Sequence, residues 1–371
     1  MPDDWRGVLL AHAVRYPAAG PEDLVKLAYQ AEHGGGHLVT DGVASLEWIR
    51  TETASLGNRP TDRLDGDGNG SGLIEDIGNG FCRLHLGAAA AAGIRPDTVN
   101  RLFLAGARSV TGSREGLLDR LDILRQCCAE GLLPFSPDAL AGYLSDYAAR
   151  EYPPISHSDV YRSAYRPAYR VVRQEHAAVL PVIRAIDDRL ADRPAGAGSL
   201  TVAIEGPCGA GKSTLARHLA ALYPDSAEIL HMDDFFLPPE LRTAERLAEP
   251  GGNIHYERFR DEVGAGLRSG EPFEYRVFDC SEQAYAATVR VRPAPLVIVE
   301  GVYAMQPIHG IPYGLSVFLS LSRAEQARRV RERSGPELWE RFRQEWIPME
   351  NRYFETFRIR EQCDLVCGEP Y

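Results

Sequence analysis

At 371 residues the chain is too long for one small core and suits two domains. Hydrophobic residues at 44% and charged residues at 25% are those of an ordinary globular protein, and a net charge of −11 argues against a nucleic-acid or anionic-membrane binder overall. The start, Met1-Pro2-Asp3-Asp4, lacks the cationic and apolar regions of a signal peptide, no apolar stretch approaches a membrane span, and seven scattered cysteines form no C-x-x-C pair, so a cytoplasmic protein with free thiols is expected.

Apolar periodicity predicts helices over residues 3–15, 21–32, 41–54, 97–109, 114–130, 137–149 and 173–191, divided by Gly, Pro and Asn clusters. Residues 1–192 are therefore expected to form a mainly α-helical domain with an accessory, substrate-related or regulatory role. Three motifs stand out in it. In Glu32-His33-Gly34-Gly35-Gly36-His37 the glycines oppose a helix between the histidines; a structural turn is the plain reading, with a substrate or phosphate contact and a metal site as alternatives. Asp65-Gly66-Asp67-Gly68-Asn69-Gly70 opens like a calcium loop, but Asp76 falls at position twelve with Glu75 one place early, so a flexible acidic loop is expected. After Ser156-His157-Ser158, the four-residue spacing of Tyr161, Tyr165 and Tyr169 puts them on one helical stripe beside Arg162, Arg166 and Arg170, with a break or kink at Pro167. Packing between domains is the plainer role for that stripe, and stacking on a nucleotide or RNA the other.

The segment Asp192 to Ser199, rich in Pro, Gly and Ala, reads as a linker. Beyond it, β-rich runs at 200–205, 227–231, 296–300, 315–319 and 364–367 alternate with helical patterns, which predicts a doubly wound parallel sheet over 193–371 with its site at the strand C-termini.

Lys26 and Lys212 are the only lysines among 41 basic residues. Lys212 lies in Gly206-Pro207-Cys208-Gly209-Ala210-Gly211-Lys212-Ser213, a full match to the G-x-x-x-x-G-K-[ST] phosphate loop between a predicted strand and a predicted helix. Backbone N–H groups of such a loop cradle phosphate oxygens, so Gly206, Cys208, Gly209, Ala210, Gly211, Lys212, Ser213 and Thr214 are the candidate nucleotide-binding residues. The compact ammonium of Lys212 suits the β- and γ-phosphates better than the wide fork of Arg. Cys208 is expected to be a filler, with oxidation sensitivity as the alternative.

Two acidic strand ends complete the pattern. Strand 227–231 runs into Asp233 and Asp234, and strand 296–299 ends in Glu300-Gly301. Asp233 is placed to accept the proton of an attacking hydroxyl, while Ser213, Glu300 and Asp234 are the candidate Mg²⁺ ligands. Arginines of the segment 328–335, Arg329 and Arg333 above all, are candidates to neutralise charge on a transferred phosphoryl group.

With these motifs in order, residues 200–371 resemble the uridine kinase family of P-loop kinases. The likeness rests on VAIEGPCGAGKSTLA at 202–216, HMDDFF at 231–236, VIVEGVYAM at 297–305, and the arginine segment followed by Glu345-Trp346-Ile347-Pro348-Met349-Glu350. It implies ATP and Mg²⁺ as cofactors, Asp233 as base, Glu300 in the metal site, and an acceptor site drawn from Phe236, His255, Tyr256, Arg258, Tyr275, Phe278, Asp279 and Gln283. The family's ribose-binding aspartate is missing from Asn253-Ile254-His255-Tyr256-Glu257, and Gln283 stands near the position of its base-reading histidine. A Mg-ATP-dependent kinase of a small alcohol is therefore expected, a nucleoside first, with pantothenate, a sugar or an antibiotic-like alcohol as alternatives. An ATP-driven regulator is a second class, and a second chemistry around His33, His37 and His157 a third. The lysine pattern offers no Asn-Lys-x-Asp guanine-reading segment. The expected partner is the small-molecule substrate, with no membrane or nucleic acid, and homo-oligomerisation is left open.

Overall fold

The computed structural model describes residues 4–36, 41–56, 72–108, 112–194 and 196–368 and divides into two compact units, Met1–Leu180 and Pro181–Tyr371. In the first unit, helix starts are set by side-chain caps: Ser113, Ser136 and Ser158 accept the N–H of Gly116, Ala139 and Tyr161. Leu24, Leu27, Ala28 and Ala31 of the Pro21–His33 helix share a core with Leu117, Leu121 and Leu124 of the Arg114–Ala129 helix. Burying each leucine contributes about 1.5–3 kcal/mol.

The predicted helices form, except that 173–191 divides into Gln174–Ala177 and Leu180–Ala191. The unit also holds an antiparallel sheet that periodicity did not predict, in the order β1 (Ile74–Gly78), β2 (Phe81–His85), β3 (Tyr169–Arg173). The β1–β2 turn passes through Gly78, Asn79 and Gly80, all at positive φ (84°, 55° and 71°), as a tight hairpin requires. The tyrosine–arginine segment is not one helical stripe. The Asp159–Tyr165 helix ends on Arg166 at φ 45°, and Tyr169 opens β3. Pro167 has no N–H to continue the helix and disfavours helical geometry in the residue before it.

The sheet was hidden because its strands carry charge inward. Arg83 is fully buried on β2, donating through Nε and Nη2 to Gln30 Oε1 (3.1 and 2.7 Å) and lying 4.5 Å over the Tyr169 ring. Its Nη1 is 3.6 Å from Glu75, which also meets His12 Nδ1 (2.8 Å), His85 Nε2 (3.2 Å) and the Tyr16 hydroxyl (3.2 Å). His157 bridges Asp23 (3.0 Å) and the Tyr169 hydroxyl (2.7 Å). Glu32 pairs with Arg120 (3.1 Å) and accepts the Ser113 N–H (2.8 Å), and the His33 ring lies 4.7 Å from Tyr29. His37 and residues 65–71 of the calcium-like motif lie outside the described residues; Glu75 and Asp76 belong to β1.

Burial pushes His12 and His157 down to about 4, so both are neutral near pH 7. Burial opposes ionisation of Glu75 too, but Arg83 and the His12 and His85 contacts hold it well below the usual carboxylate range. The unfolded histidines titrate near about 6.5, so below that pH the unfolded state takes up protons that the folded state refuses. Stability is therefore full above about pH 6.5 and declines toward pH 4, by up to about 1.4 kcal/mol per pH unit for each histidine. Thermal melts of the full chain should show this loss; a transition of the first unit that stays flat from about pH 7 to about pH 4.5 would contradict it.

In the second unit the Leu180–Ala191 helix is fixed by Asp187, which accepts the Tyr223 hydroxyl (2.8 Å), and by Arg189, which pairs with Asp364 (3.2 Å). The division between units falls at 180/181, one residue into this helix, and not at the 192/193 position that composition suggests; residues 192–199 connect the helix to the sheet. That sheet runs β10 (Leu365–Gly368), β9 (Leu315–Ser320), β4 (Leu200–Glu205), β8 (Leu296–Glu300), β5 (Ala227–His231), every pair parallel. Both β4 and β8 are buried along their whole length, which explains their near-continuous apolar sequences. A separate antiparallel hairpin, β6 (Phe273–Asp279) with β7 (Ala284–Val291), contributes Tyr275 and Val291 to a core shared with Phe235 and Phe259.

Candidate active site

Glu300 is the register partner of Ile204 on one side and His231 on the other, so the ends of β4, β8 and β5 stand side by side. The loop after β4 and the turn after β5 therefore flank one carboxylate. Gly206 turns the chain at φ 137°, where an added Cβ would lie 2.3 Å from the Leu319 carbonyl oxygen. No other residue fits that approach. Gly209 and Gly211 also have positive φ, and Gly211 caps the Lys212–Leu222 helix.

Lys212 is buried, with Nζ donating to the carbonyls of Gly206 (2.8 Å) and Pro207 (3.1 Å). Ser213 and Thr214 are exposed at the helix start, and Gly209 and Ala210 are half-buried. Burial pushes the Cys208 thiol up to about 12, so it stays protonated, which fits the filler reading.

Asp233 lies in the short turn Met232–Phe235 after β5. Its side chain is exposed, yet the surrounding protein raises its pKa by desolvation; Lys212 opposes, while Glu300 and Asp234 add to the rise. These groups share one electrostatic environment. Glu300 is buried, and its Oε1 is 2.6 Å from His231 Nδ1; this contact raises the histidine's pKa. Asp234 accepts the Tyr275 hydroxyl (2.9 Å). Among the described residues no three His, Cys, Asp or Glu side chains converge closely enough to hold a metal by themselves.

The two candidate arginines divide. Arg329 reaches the Gly209 carbonyl (3.4 Å) and is braced by Glu325 (2.7 Å), whereas Arg333 lies 5.7 Å from the Phe342 ring. Both stand on Arg323–Arg341, which kinks at Gly335 (φ 77°).

The acceptor candidates are spread over three tasks. Phe236 bridges to Ile254, and His255 caps the Tyr256–Arg258 turn by accepting the Arg258 N–H (3.4 Å). Tyr256 bonds Glu249 (2.7 Å) under Arg246. Arg258 is buried over Phe235 (4.2 Å) and donates to the carbonyls of Asp234 (2.7 Å) and Arg276, tying the β6–β7 hairpin to the acidic turn. Phe278 is buried, Asp279 accepts from Ser281 and Glu282, and Gln283 bonds the Cys280 carbonyl at φ 51°. Asp279 and Gln283 thus hold the hairpin turn.

Sequence reading passed over His231, Glu205, Gln326, Glu350 and Tyr353. Glu205 is fully buried at the end of β4, where it accepts the Met305 N–H (2.9 Å), the Tyr353 hydroxyl (2.8 Å) and the Gly206 N–H (3.3 Å). Burial pushes its pKa up to about 7. Its signal was a charged residue closing an otherwise apolar strand.

Strand order, glycine loop and paired acidic strand ends define a parallel α/β unit with a P-loop after its central strand. No family model matches the chain, and no curated protein matches it in sequence. Among solved structures it is similar to a possible uridine kinase from Bacillus stearothermophilus, at 19% identity over 51% of this chain and 100% of that one with a TM-score of 0.39. It is also similar to D-glycerate 3-kinase from Cryptococcus neoformans, at 17% identity over 47% and 86% of the two chains with a TM-score of 0.35.

The two loop carbonyls that receive the Lys212 ammonium leave little space for a guanidinium fork. Lys212→Arg is expected to fold with a lowered melting point, because the fork crowds a buried site, and to lose about 100-fold or more in ATP-dependent turnover. Turnover within about threefold of the unaltered chain would refute this role for the lysine.

Proposed function

We propose that the second unit transfers the terminal phosphoryl group of ATP to a hydroxyl of a small molecule. The observation that carries this reading is the meeting of the Gly206–Ser213 loop, Glu300 and Asp233 at adjacent strand ends. Asp233 takes the proton of the acceptor hydroxyl, whose oxygen bonds to phosphorus as the bond to the ADP oxygen breaks. Lys212 and the loop amides from Gly209 to Thr214 hold the phosphates, and Arg329 with Arg333 neutralises charge on the moving group.

The Ser213 hydroxyl and the Glu300 carboxylate are hard oxygen donors suited to Mg²⁺, which needs few protein ligands when phosphates supply the rest. When bound, Mg²⁺ neutralises phosphate charge. Asp234, also expected in the metal shell, is engaged by Tyr275 and is assigned instead to shaping the acceptor side.

The acceptor is read as a small alcohol. A nucleoside is the sequence's first candidate, yet Asp279 and Gln283 are committed to the hairpin turn, which favours an alcohol read by other groups. A panel of nucleosides, pantothenate, sugars and aminoglycosides, scored by acceptor-dependent ADP release, tests the class. ADP release that no acceptor changes would favour an ATP-driven regulator. With the best acceptor, Asp233→Asn is expected to lower single-turnover transfer by about 100-fold or more while ATP still binds. Unimpaired transfer would remove Asp233 from the role of base.

A further inference from the structure

Glu350 is a buried carboxylate that the reaction as written does not use. It stands on the Ile347–Phe357 helix, and its Oε2 accepts the backbone N–H of Cys208 at 2.9 Å inside the phosphate loop. A buried carboxylate loses its hydration, a cost that its contacts must repay.

The contacts around Cys208 show what Glu350 repays. Gln326, itself buried, donates Nε2 to the Cys208 carbonyl (3.2 Å) and approaches its sulfur (3.3 Å). One turn further along the same helix, Arg329 reaches the next carbonyl, that of Gly209. From the Ile347–Phe357 helix, Tyr353 lies one turn beyond Glu350 and bonds Glu205, the residue before Gly206. Two helices from the C-terminal part of the unit therefore grip the loop at residues 205, 208 and 209. Burial raises the Glu350 pKa, Lys212 opposes that rise and Asp233 adds to it, so Glu350 belongs to the same electrostatic centre as the candidate base.

We propose that Glu350 is a positioning residue for phosphoryl transfer: by holding the Cys208 amide it fixes the curvature of the loop, so that the amides from Gly209 onward point together at the phosphates. This rests on the phosphotransferase reading above. The hydrogen bond is buried, and its loss orphans the Cys208 N–H. A displacement of about 1 Å in a preorganised site can cost about 100-fold in rate.

The experiment compares three variants in the full chain. Glu350→Met keeps volume but offers no oxygen acceptor, Glu350→Gln keeps an acceptor without the charge, and Glu350→Ala serves as a second deletion if the methionine variant misfolds. The acceptor-free variants are expected to lower kcat by about 10- to 100-fold and raise KM for ATP, with KM for the alcohol within about twofold. Glu350→Gln should recover to within about threefold of the unaltered chain, because its amide oxygen accepts the same N–H. Full activity in a folded acceptor-free variant overturns the proposal. Equal impairment of Glu350→Gln, or a loss confined to KM for the alcohol, overturns it too.

If the unaltered chain phosphorylates no alcohol, the phosphotransferase reading fails, and calorimetric ATP affinity becomes the readout for Glu350. Binding weakened about tenfold in the acceptor-free variants and restored in Glu350→Gln supports the loop-holding role, whereas equal affinities overturn it.

Discussion

The phosphate loop consists of backbone that must approach other backbone too closely for side chains, and the second unit is arranged around that constraint. Gly206 has room only because it lacks a Cβ facing Leu319, and the carbonyls on either side of this turn receive the Lys212 ammonium. A loop of this kind has no core of its own. It takes its shape from groups outside it: Glu205 at its entrance, Gln326 and Glu350 on Cys208, and Arg329 on Gly209. Three of these four come from residues more than a hundred positions later in the chain.

The neighbouring acids follow from strand order. Because β8 lies between β4 and β5, Glu300 is brought beside both the loop and the turn that carries Asp233. Burial together with the neighbouring Glu300 and Asp234 carboxylates raises the pKa of Asp233, and Lys212 and His231 oppose that rise. The first unit meets a comparable electrostatic problem differently. It buries Arg83 against Gln30, Tyr169 and Glu75 and keeps His12 and His157 neutral, so polar residues occupy positions where periodicity expects apolar ones.

Much of the fold was legible because apolar pattern and local chemistry agree. The runs at 200–205, 227–231, 296–300, 315–319 and 364–367 all became strands of the parallel sheet, since strands buried on both faces leave little room for polar residues. The loop was legible because each specified position answers a local requirement for positive φ, close approach or a compact charge. Strands β1, β2 and β3 were not, because they are short and place Glu75, Arg83 and Arg170 among neighbours distant in sequence. The acceptor candidates were only partly legible. Arg258, Asp279 and Gln283 look alike in sequence whether they face a ligand or brace a hairpin, and the structure shows them bracing it.

The sequence by itself determined the parallel-sheet class of the second unit, the phosphate loop, the two acidic strand ends and the compositional isolation of Lys212, because each depends on neighbours along the chain. Only the tertiary structure decided that His231 faces Glu300, that Asp234 bonds Tyr275, that helical residues 181–191 belong to the second unit, and that Glu350 holds the loop at Cys208. These are contacts between elements far apart in sequence. A carboxylate that will accept a buried amide is indistinguishable in one dimension from one that will face water.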